Sequence, residues 1–418
     1  MNVTGIIAEY NPFHNGHLYQ IEQIKKNGAD YVVIVMSGNF LQRGTPAILD
    51  KWSRAKMALS CGADLVIELP AIFATASAQY FARGGISILD KLGCVNTISF
   101  GCESNDIRMI QTLSSYLSEE PDVYKEKLQN YLRRGNSFPK ARELALTECL
   151  SAEAAAFASS PNNILALEYC IALLERHSSM TTLPIKREGS GYHDTELNMA
   201  EFASATAIRE IIEKPSNTDV NCNKNTPLPN EIDEYIPKFV HSILNRERIN
   251  YITQNDFSSL LHYKLLTEGN SSFAKYADVT EDLSDKIRKN LRHYRDYSSF
   301  CELLKSKELT YSRINRALTH ILLNITQDIY EDAKSNDYAG YARILGFRKE
   351  ATPLLSEIGK KATIPLISKP ADASKTLTEH ELQHLEHDIF CSHVYESIVA
   401  SKTGNASKNE YQREIIRL

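Results

Sequence analysis

The strongest constraint on the fold is the alternation of short apolar segments with longer amphipathic ones over the first two hundred residues. Continuous apolar runs, typical of strands that helices cover on both faces, occur at 3–8, 31–36, 64–69, 95–100 and 181–186. Helical spacing of apolar residues predicts intervening helices at 17–26, 50–61 and 78–92. This alternation predicts a parallel α/β sheet of the Rossmann-like kind, with ligands bound beyond the carboxyl ends of the strands.

The stretch 215–229 is polar, rich in Asn and Pro, and nearly devoid of large apolar residues, which predicts a linker. We therefore expect an α/β domain at 1–214 and a mostly α-helical domain at 230–418. Beyond residue 230 we expect no strand alternation.

Composition excludes several classes of protein. No apolar run reaches the roughly 18 residues of a membrane span. The first residues lack the basic and apolar regions of a secretory leader, so we expect no secretion. The net charge of −5 argues against a general affinity for polyanions, so any nucleic-acid binding requires a local basic patch. The eight cysteines are scattered without a CxxC pair, which favours reduced thiols and a cytoplasmic protein.

The segment His14-Asn15-Gly16-His17 lies between the first strand and the first helix. A helix N-terminus offers unpaired N–H groups and the positive end of its dipole, and two imidazoles can add donors there. Gly16 has no Cβ, so a ligand can lie against its backbone. The pattern predicts a nucleoside triphosphate site. The alternative is a histidine cap on an ordinary βα turn.

A second helix start, Ser204-x-Thr206-x-x-Arg209, has the same chemistry. Its hydroxyls and N–H groups can bind a phosphate, and the arginine adds a planar fork of donors. By itself this pattern is more often an ordinary helix start with a surface arginine. Together with HxGH on the same sheet, it favours a second contact to phosphate.

The two motifs together resemble the nucleotidylyltransferase superfamily. Longer segments resemble the tRNA(Met) cytidine acetate ligase family: EYNPFHNGH at the first turn, FGCES after the fourth strand, SPNNILALEY at 160–169, KREGSGYHD at 186–194 and SATAIR at 204–209. The segments SRINR at 312–316 and RILGFR at 343–348 are similar to the C-terminal region of that family but are less specific.

The resemblance implies ATP-dependent acetylation of the exocyclic amine of the wobble cytidine in elongator tRNA(Met). Free acetate would attack the α-phosphate of ATP, with Mg²⁺ as counter-ion, and the resulting acetyl-adenylate would acylate the cytidine. His14 and His17 would be catalytic. The residues expected to bind ATP are Ile7, Gly16, His17, Gly101, Asn162, Arg187, Ser204, Thr206 and Arg209.

Residues 286–316 hold nine Lys or Arg residues against three acidic ones. Basic side chains can follow phosphates, and interleaved aromatics can stack on unpaired bases. The alternative is a solvated helix face beside core aromatics. The interleaved aromatics are Tyr294, Tyr297, Phe300 and Tyr311. The residues expected to bind tRNA are Arg288, Lys289, Arg292, Arg313 and Arg316.

Three other functions stay open from the residues. His380-Glu-Leu-Gln-His384 matches HExxH, the pattern of zinc metallohydrolases. No third ligand is evident in the sequence, so we expect a polar helix face and no metal. A small-molecule adenylyltransferase of coenzyme biosynthesis would share HxGH, although the large helical region argues against it. A tRNA-binding protein without catalytic activity is the third.

Overall fold

The computed structural model describes residues 1–103, 106–186, 204–213, 228–306, 308–406 and 409–418. Most of the predicted linker, and the segment that contains Arg187, lie outside these residues.

One eight-stranded sheet organises the described chain, and its strands run β5-β4-β1-β2-β3-β6-β7, with β8 paired to β6. The pairs are parallel except β3 with β6, which is antiparallel. The strands are β1 (Val3–Ala8), β2 (Tyr31–Ser37), β3 (Leu65–Leu69), β4 (Thr97–Cys102), β5 (Thr181–Lys186), β6 (Ala342–Phe347), β7 (Leu366–Ile367) and β8 (Ile416–Arg417).

The first five strands confirm the predicted α/β class, and their apolar runs are explained by burial. β3 is buried along its whole length and β2 at all but its first residue, because helices cover both faces. The helices of this half are α1 (Asn15–Lys26), α2 (Lys51–Ser60), α3 (Ala71–Ala74), α4 (Ala78–Lys91), α5 (Ile107–Glu119), α6 (Asp122–Arg133), α7 (Phe138–Cys149), α8 (Ala152–Ser159), α9 (Pro161–Glu175) and α10 (Ala205–Glu213).

The C-terminal half is mainly helical, as predicted. Its helices are α11 (Lys238–Arg246), α12 (Ser258–Glu268), α13 (Glu281–Asn290), α14 (Tyr297–Leu304), α15 (Tyr311–Leu322), α16 (Gln327–Ser335), α17 (Thr352–Lys361) and α18 (Glu379–Thr403). Among the described residues, no helix has both the length and the apolar character needed to cross a bilayer.

The expectation of no strand alternation after residue 230 missed three strands. β6, β7 and β8 extend the N-terminal sheet, with β6 antiparallel to β3. β7 and β8 have only two residues each and produce no periodic signal. β6 has six residues, but Arg343 and Gly346 interrupt its apolar run. The apolar core also crosses between the halves, where the ring of Phe40 lies 5.5 Å from that of Phe257 and 6.1 Å from that of Tyr395.

A buried ionic cluster joins the halves beneath the sheet. Lys51 Nζ lies 2.8 Å from Glu68 and 3.2 Å from Glu410, and Arg343 binds both carboxylates. Burial alone would raise the pKa of Glu410, but Lys51 and Arg343 outweigh it and lower the pKa to about 2. The two positive and two negative charges of the cluster compensate each other. Removing one member of such a buried pair would cost about 3–5 kcal/mol of unfolding free energy.

Candidate active site

A pocket opens at the carboxyl ends of β1, β4 and β5. The strand order reverses here, because the chain runs from β1 outward to β2 and β3 and later returns to β4 on the other side. Such a switch point is where open α/β sheets bind ligands. Nine of the ten residues expected to bind ATP or catalyse line this one pocket: Ile7, His14, Gly16, His17, Gly101, Asn162, Ser204, Thr206 and Arg209. The tenth, Arg187, lies outside the described residues.

The two histidines cap the helix that they begin. His14 Nδ1 accepts a hydrogen bond from the Gly16 N–H (3.1 Å), and His17 Nδ1 accepts one from the His14 N–H (3.2 Å). An Nδ1 that accepts a backbone N–H carries no proton, so the ring proton of each neutral imidazole is on Nε2. The cap considered as the alternative is therefore present, and it fixes the tautomer that offers an Nε2–H donor.

Aromatic contacts hold the imidazole rings in place. The two rings are stacked with centroids 3.6 Å apart, and the His17 ring lies 4.7 Å from that of Tyr10 and 5.4 Å from that of Phe13. Tyr10 and Phe13 are almost fully buried. These contacts leave little freedom for the histidines to rotate, which keeps the donors oriented.

The backbone at the start of α1 differs from the sequence expectation. The Asn15 N–H donates to the Tyr235 carbonyl (2.8 Å), and the Gly16 N–H donates to His14. These two groups are not the unpaired donors that were expected. At this helix start the imidazoles, together with the dipole, supply the attraction for an anion.

The second motif is physically attached to the first. Arg209 Nη1 donates to the Asn11 carbonyl (2.6 Å), and its Nη2 donates to the Thr206 hydroxyl (3.1 Å). Ser204 caps α10 by accepting from the Ala207 N–H (3.1 Å). The guanidinium therefore lies between the two helix starts. In this arrangement both helix starts can face one polyphosphate.

The opposite end of the pocket is formed by β4 and α9. Gly101 is the penultimate residue of β4, and Asn162 lies in the first turn of α9. Asn162 Nδ2 donates to Glu103 (3.2 Å), while the Glu103 N–H donates to the Asn163 side chain (3.1 Å). These bonds fix the start of α9 against the end of the strand.

Two residues near the pocket were missed by sequence reasoning. Glu9 lines it and accepts the Gln42 N–H (2.8 Å). Arg54 is fully buried and donates to the carbonyls of Glu9 (2.5 Å) and Ser37 (3.2 Å), and also to that of Gly38. Burial lowers the pKa of Arg54 to about 10, so it stays charged at neutral pH. Glu9 was in a recognised motif, but nothing local in the sequence marks Arg54.

The C-terminal half supplies one wall of the pocket indirectly. The loop that lines this wall includes Gln42, Arg43 and Thr45. Asn315 donates to the Arg43 carbonyl (2.9 Å), and Thr319 donates to the Gly44 carbonyl (2.5 Å). Both donors belong to α15, so this helix holds the loop.

The basic stretch is divided between exposed and structural residues. Arg288, Lys289 and Arg292 are exposed, and Arg313 is half-buried. Arg316 instead pairs with Asp278 at 2.8 Å. Tyr297 and Phe300 are core residues, and Tyr294 is partly buried and stacks on His262 with ring centroids 4.5 Å apart. These three aromatics fit the alternative of core packing.

The HExxH glutamate is not available as a catalytic base. Glu381 accepts from the N–H (2.8 Å) and the hydroxyl (2.9 Å) of Thr378, in the capping box of α18. A metallohydrolase needs this carboxylate beside the metal-bound water. The metallohydrolase alternative therefore lacks its base.

Comparisons with known proteins identify the family of the chain. The family model for HIGH nucleotidyl transferases matches residues 1–411. The tRNA(Met) cytidine acetate ligases of Thermoanaerobacter sp. (strain X514) and Caldanaerobacter subterraneus are 39% and 40% identical to this chain, with each pair covered over its whole length. The crystal structure of Thermotoga maritima TmcAL bound with alpha-thio ATP superposes with a TM-score of 0.89 at 31% identity, and its apo form with 0.91 at 32%, both over 100% of each chain. The chain belongs to the tRNA(Met) cytidine acetate ligase family of HIGH nucleotidyl transferases.

Proposed function

We propose that this chain is an ATP-dependent ligase that acetylates N4 of the wobble cytidine of elongator tRNA(Met). In the first step an acetate oxygen attacks the α-phosphorus of ATP, and pyrophosphate leaves as acetyl-adenylate forms. In the second step the cytidine amine attacks the acetyl carbonyl carbon, AMP leaves, and the amine loses a proton. The observation that carries the proposal is the convergence of the HxGH and SxTxxR helix starts on one pocket in a member of this family.

The first step needs charge stabilisation more than covalent help. Negative charge shifts onto the leaving pyrophosphate, and His14, His17 and Arg209 are donors at the two helix starts. Because hydrogen bonds and ring contacts fix these donors, little reorganisation is needed as charge develops. Removing one such donor typically costs about 10²–10³ in rate.

The residues fit Mg²⁺ bound chiefly through ATP. Glu9 is the acidic side chain among the described lining residues, and it already binds the Gln42 N–H. One carboxylate is no cage for Mg²⁺, which commonly keeps its waters and binds substrate phosphates. When bound, Mg²⁺ would neutralise phosphate charge, and Glu9 is the side chain of this pocket that would help to hold it.

For the nucleoside, we propose that Ile7, Gly101 and Asn162 contact the adenosine and that Arg187 adds a further contact. Gly101 lies at the carboxyl end of its strand, where the absence of Cβ leaves room for a planar ring. The side chain of Asn162 is held by Glu103, so its orientation is set before the ligand binds.

For the tRNA, we propose a surface formed by α12 and α13 in the C-terminal half. Arg288 and Lys289 on α13 and Arg292 just after it are exposed and would contact phosphates, with Arg313 and Arg316 nearer the pocket loop. Arg288 donates to the Gly269 carbonyl (3.3 Å) just after α12, and Tyr263 on α12 is 69% exposed. This tyrosine could stack on a base, unlike the aromatics within the basic stretch.

A small-molecule adenylyltransferase of coenzyme biosynthesis, the competing function, would not need a C-terminal half that binds tRNA. The full-length identity to the ligases of Thermoanaerobacter and Caldanaerobacter includes the C-terminal half, which supports the tRNA-modifying function.

The test is incubation of the protein with ATP, labelled acetate and transcribed elongator tRNA(Met). We expect label in the RNA and an equal amount of AMP. The matched control is the same transcript with the wobble cytidine replaced by uridine, which lacks the amine and should stay unlabelled. An adenylated small molecule with no label in RNA would instead support the coenzyme enzyme, and RNA binding without turnover would support a non-catalytic protein.

A further inference from the structure

Two helices of the C-terminal half bring three metal-ligating side chains together. Neither helix contributes a residue to the described lining of the nucleotide pocket. Asp332 lies on α16, and His380 and His384 lie one turn apart on α18. His384 Nε2 is 3.0 Å from Asp332 Oδ2, and His380 Nε2 contacts the same oxygen. The three ligand atoms all lie within 4.8 Å of one another.

This geometry differs from an ordinary ion pair. Two imidazoles at i and i+4 face the same side of α18, with ring centroids 4.6 Å apart, and both direct Nε2 at a single carboxylate oxygen. The carboxylate oxygen can accept a hydrogen bond from each imidazole, but such bonds do not link the two imidazole nitrogens to each other. One divalent cation between the three atoms would bind all of them at once.

The neighbouring polar groups are already used and do not compete. Glu381 caps the helix through Thr378, and His387 Nε2 donates to the Leu323 carbonyl (2.8 Å). The three clustered side chains are 19–41% exposed, so an ion can reach them from solvent.

We propose that Asp332, His380 and His384 bind one divalent transition-metal ion of the zinc class. Two imidazole nitrogens and one carboxylate oxygen are a ligand set that suits Zn²⁺, with water at the fourth position. The sequence led us to expect no metal because HExxH had no third ligand. The fold supplies that ligand from a helix 48 residues upstream.

The site is structural and not hydrolytic, because Glu381 is committed to its cap. Both helices hold α3, the short helix after β3. Tyr330 on α16 donates to the Ile72 carbonyl (2.9 Å), and Asp388 on α18 accepts from the Ala71 N–H (2.7 Å). A metal that links α16 to α18 would therefore stabilise the support of the central sheet.

The experiment uses the full-length protein without a polyhistidine tag. Protein purified without chelator is analysed for metals. It is then stripped with EDTA, titrated calorimetrically with ZnCl₂ or MgCl₂, and melted with and without zinc. We expect one zinc per chain, no comparable binding of Mg²⁺ at this site, and a higher Tm with zinc.

Two variants and one control locate the metal. Asp332→Asn and His384→Gln should lose stoichiometric zinc and its effect on Tm, whereas His387→Gln on the same helix should keep both. Folding of each variant is checked by circular dichroism. Zinc retained by Asp332→Asn would mean that the metal binds elsewhere, for instance at His14 and His17, and would overturn the proposal. Absence of zinc binding in the wild-type protein would mean that the cluster is held by protons alone.

Discussion

The two walls of the nucleotide pocket are built in opposite ways. The wall at His14 and His17 is local, since its capping bonds join residues two or three positions apart. The wall at Gln42–Thr45 depends on α15, and the bond from Asn315 to Arg43 spans 272 residues. The capping bonds of the first wall can form within one strand–helix turn, although the Asn15 N–H there also donates to the Tyr235 carbonyl. The second wall requires the C-terminal half to be folded against the sheet.

This difference suggests how the two half-reactions could be coupled. The helix that holds the pocket loop also carries Arg313 and Arg316, which we expect near the tRNA. A tRNA bound to the C-terminal half would contact the helix that holds the loop lining the ATP site. The local wall, at His14 and His17, should then govern adenylate formation. The distant wall, at Gln42–Thr45, should affect both adenylate formation and acetyl transfer to the tRNA.

The largest effect is expected at the local wall. His17→Ala should lower acetate-dependent pyrophosphate release by about 10²–10³, because an oriented donor to the phosphates is lost. The measurement is pyrophosphate release without tRNA. His241→Ala, which removes a histidine from α11, is the control and should leave the rate unchanged. A folded His17→Ala protein with the wild-type rate would show that the imidazole has no part in adenylate formation.

Arg209→Ala should raise the KM for ATP and lower kcat. The lost contact to phosphate is charge-assisted and worth roughly 1.5–3 kcal/mol, or about ten- to a hundredfold in kcat/KM. Steady-state kinetics with varied ATP provide the measurement. Arg209→Lys should recover part of the loss, since it keeps the charge but not the planar fork. Unchanged ATP kinetics in the alanine variant would remove SxTxxR from the site.

The distant wall, at Gln42–Thr45, is tested by substitution of its glycine, Gly44. Gly44 has φ +71°, and a Cβ there would lie 2.5 Å from the backbone nitrogen of Arg316 on α15. Gly28 has a similar φ of +86°, but its Cβ would meet nothing within 4 Å. Gly28→Ala should cost about 1–2 kcal/mol in unfolding free energy from φ alone. Gly44→Ala should cost about 1–3 kcal/mol more through overpacking. Equal losses in denaturant unfolding would mean that the loop is not held tightly by α15.

The contrast between local contacts and contacts distant in sequence also explains which features could be predicted from the sequence. The five parallel strands and both helix starts were predictable, because periodicity and capping chemistry are local signals. Arg54 was not, since a buried arginine that binds four carbonyls looks like any other residue of an amphipathic helix. β6 and Asp332 were missed for a related reason. Their roles depend on partners distant in sequence, and such pairings leave no mark in a single chain.

The tRNA surface can be separated from the pocket. Replacing Arg288, Lys289 and Arg292 with alanine should weaken tRNA binding and reduce the slope of log K against log salt. Each lost phosphate contact removes about 0.9 on duplex or 0.7 on single strands. Pyrophosphate release without tRNA should persist, so acetyl-adenylate forms but little acetyl reaches the RNA. The control replaces three exposed lysines elsewhere, Lys360, Lys369 and Lys375. If both activities fall equally, the basic stretch supports the fold or the pocket directly.

A pH dependence of stability, without an effect on the chemistry of the pocket, is expected where the two halves meet. Burial and the nearby Asp50 raise the pKa of Glu396 to about 7, although Arg413 donates to it at 3.0 Å. The folded protein therefore holds a proton that the unfolded chain releases near pH 4.5. Its stabilising contribution is complete below that pH and is lost as the pH rises through about 7.

Glu396→Gln mimics the neutral carboxyl and should remove this dependence. From pH 5 to pH 8 the wild-type protein should lose on the order of 2–3 kcal/mol more unfolding free energy than the variant. Glu410 should not contribute in that range, because its pKa is lowered to about 2 and its effect appears only in acid. The measurement is denaturant unfolding at several pH values for both proteins. Parallel curves would show that Glu396 is ionised throughout and that Arg413, not burial, controls its charge.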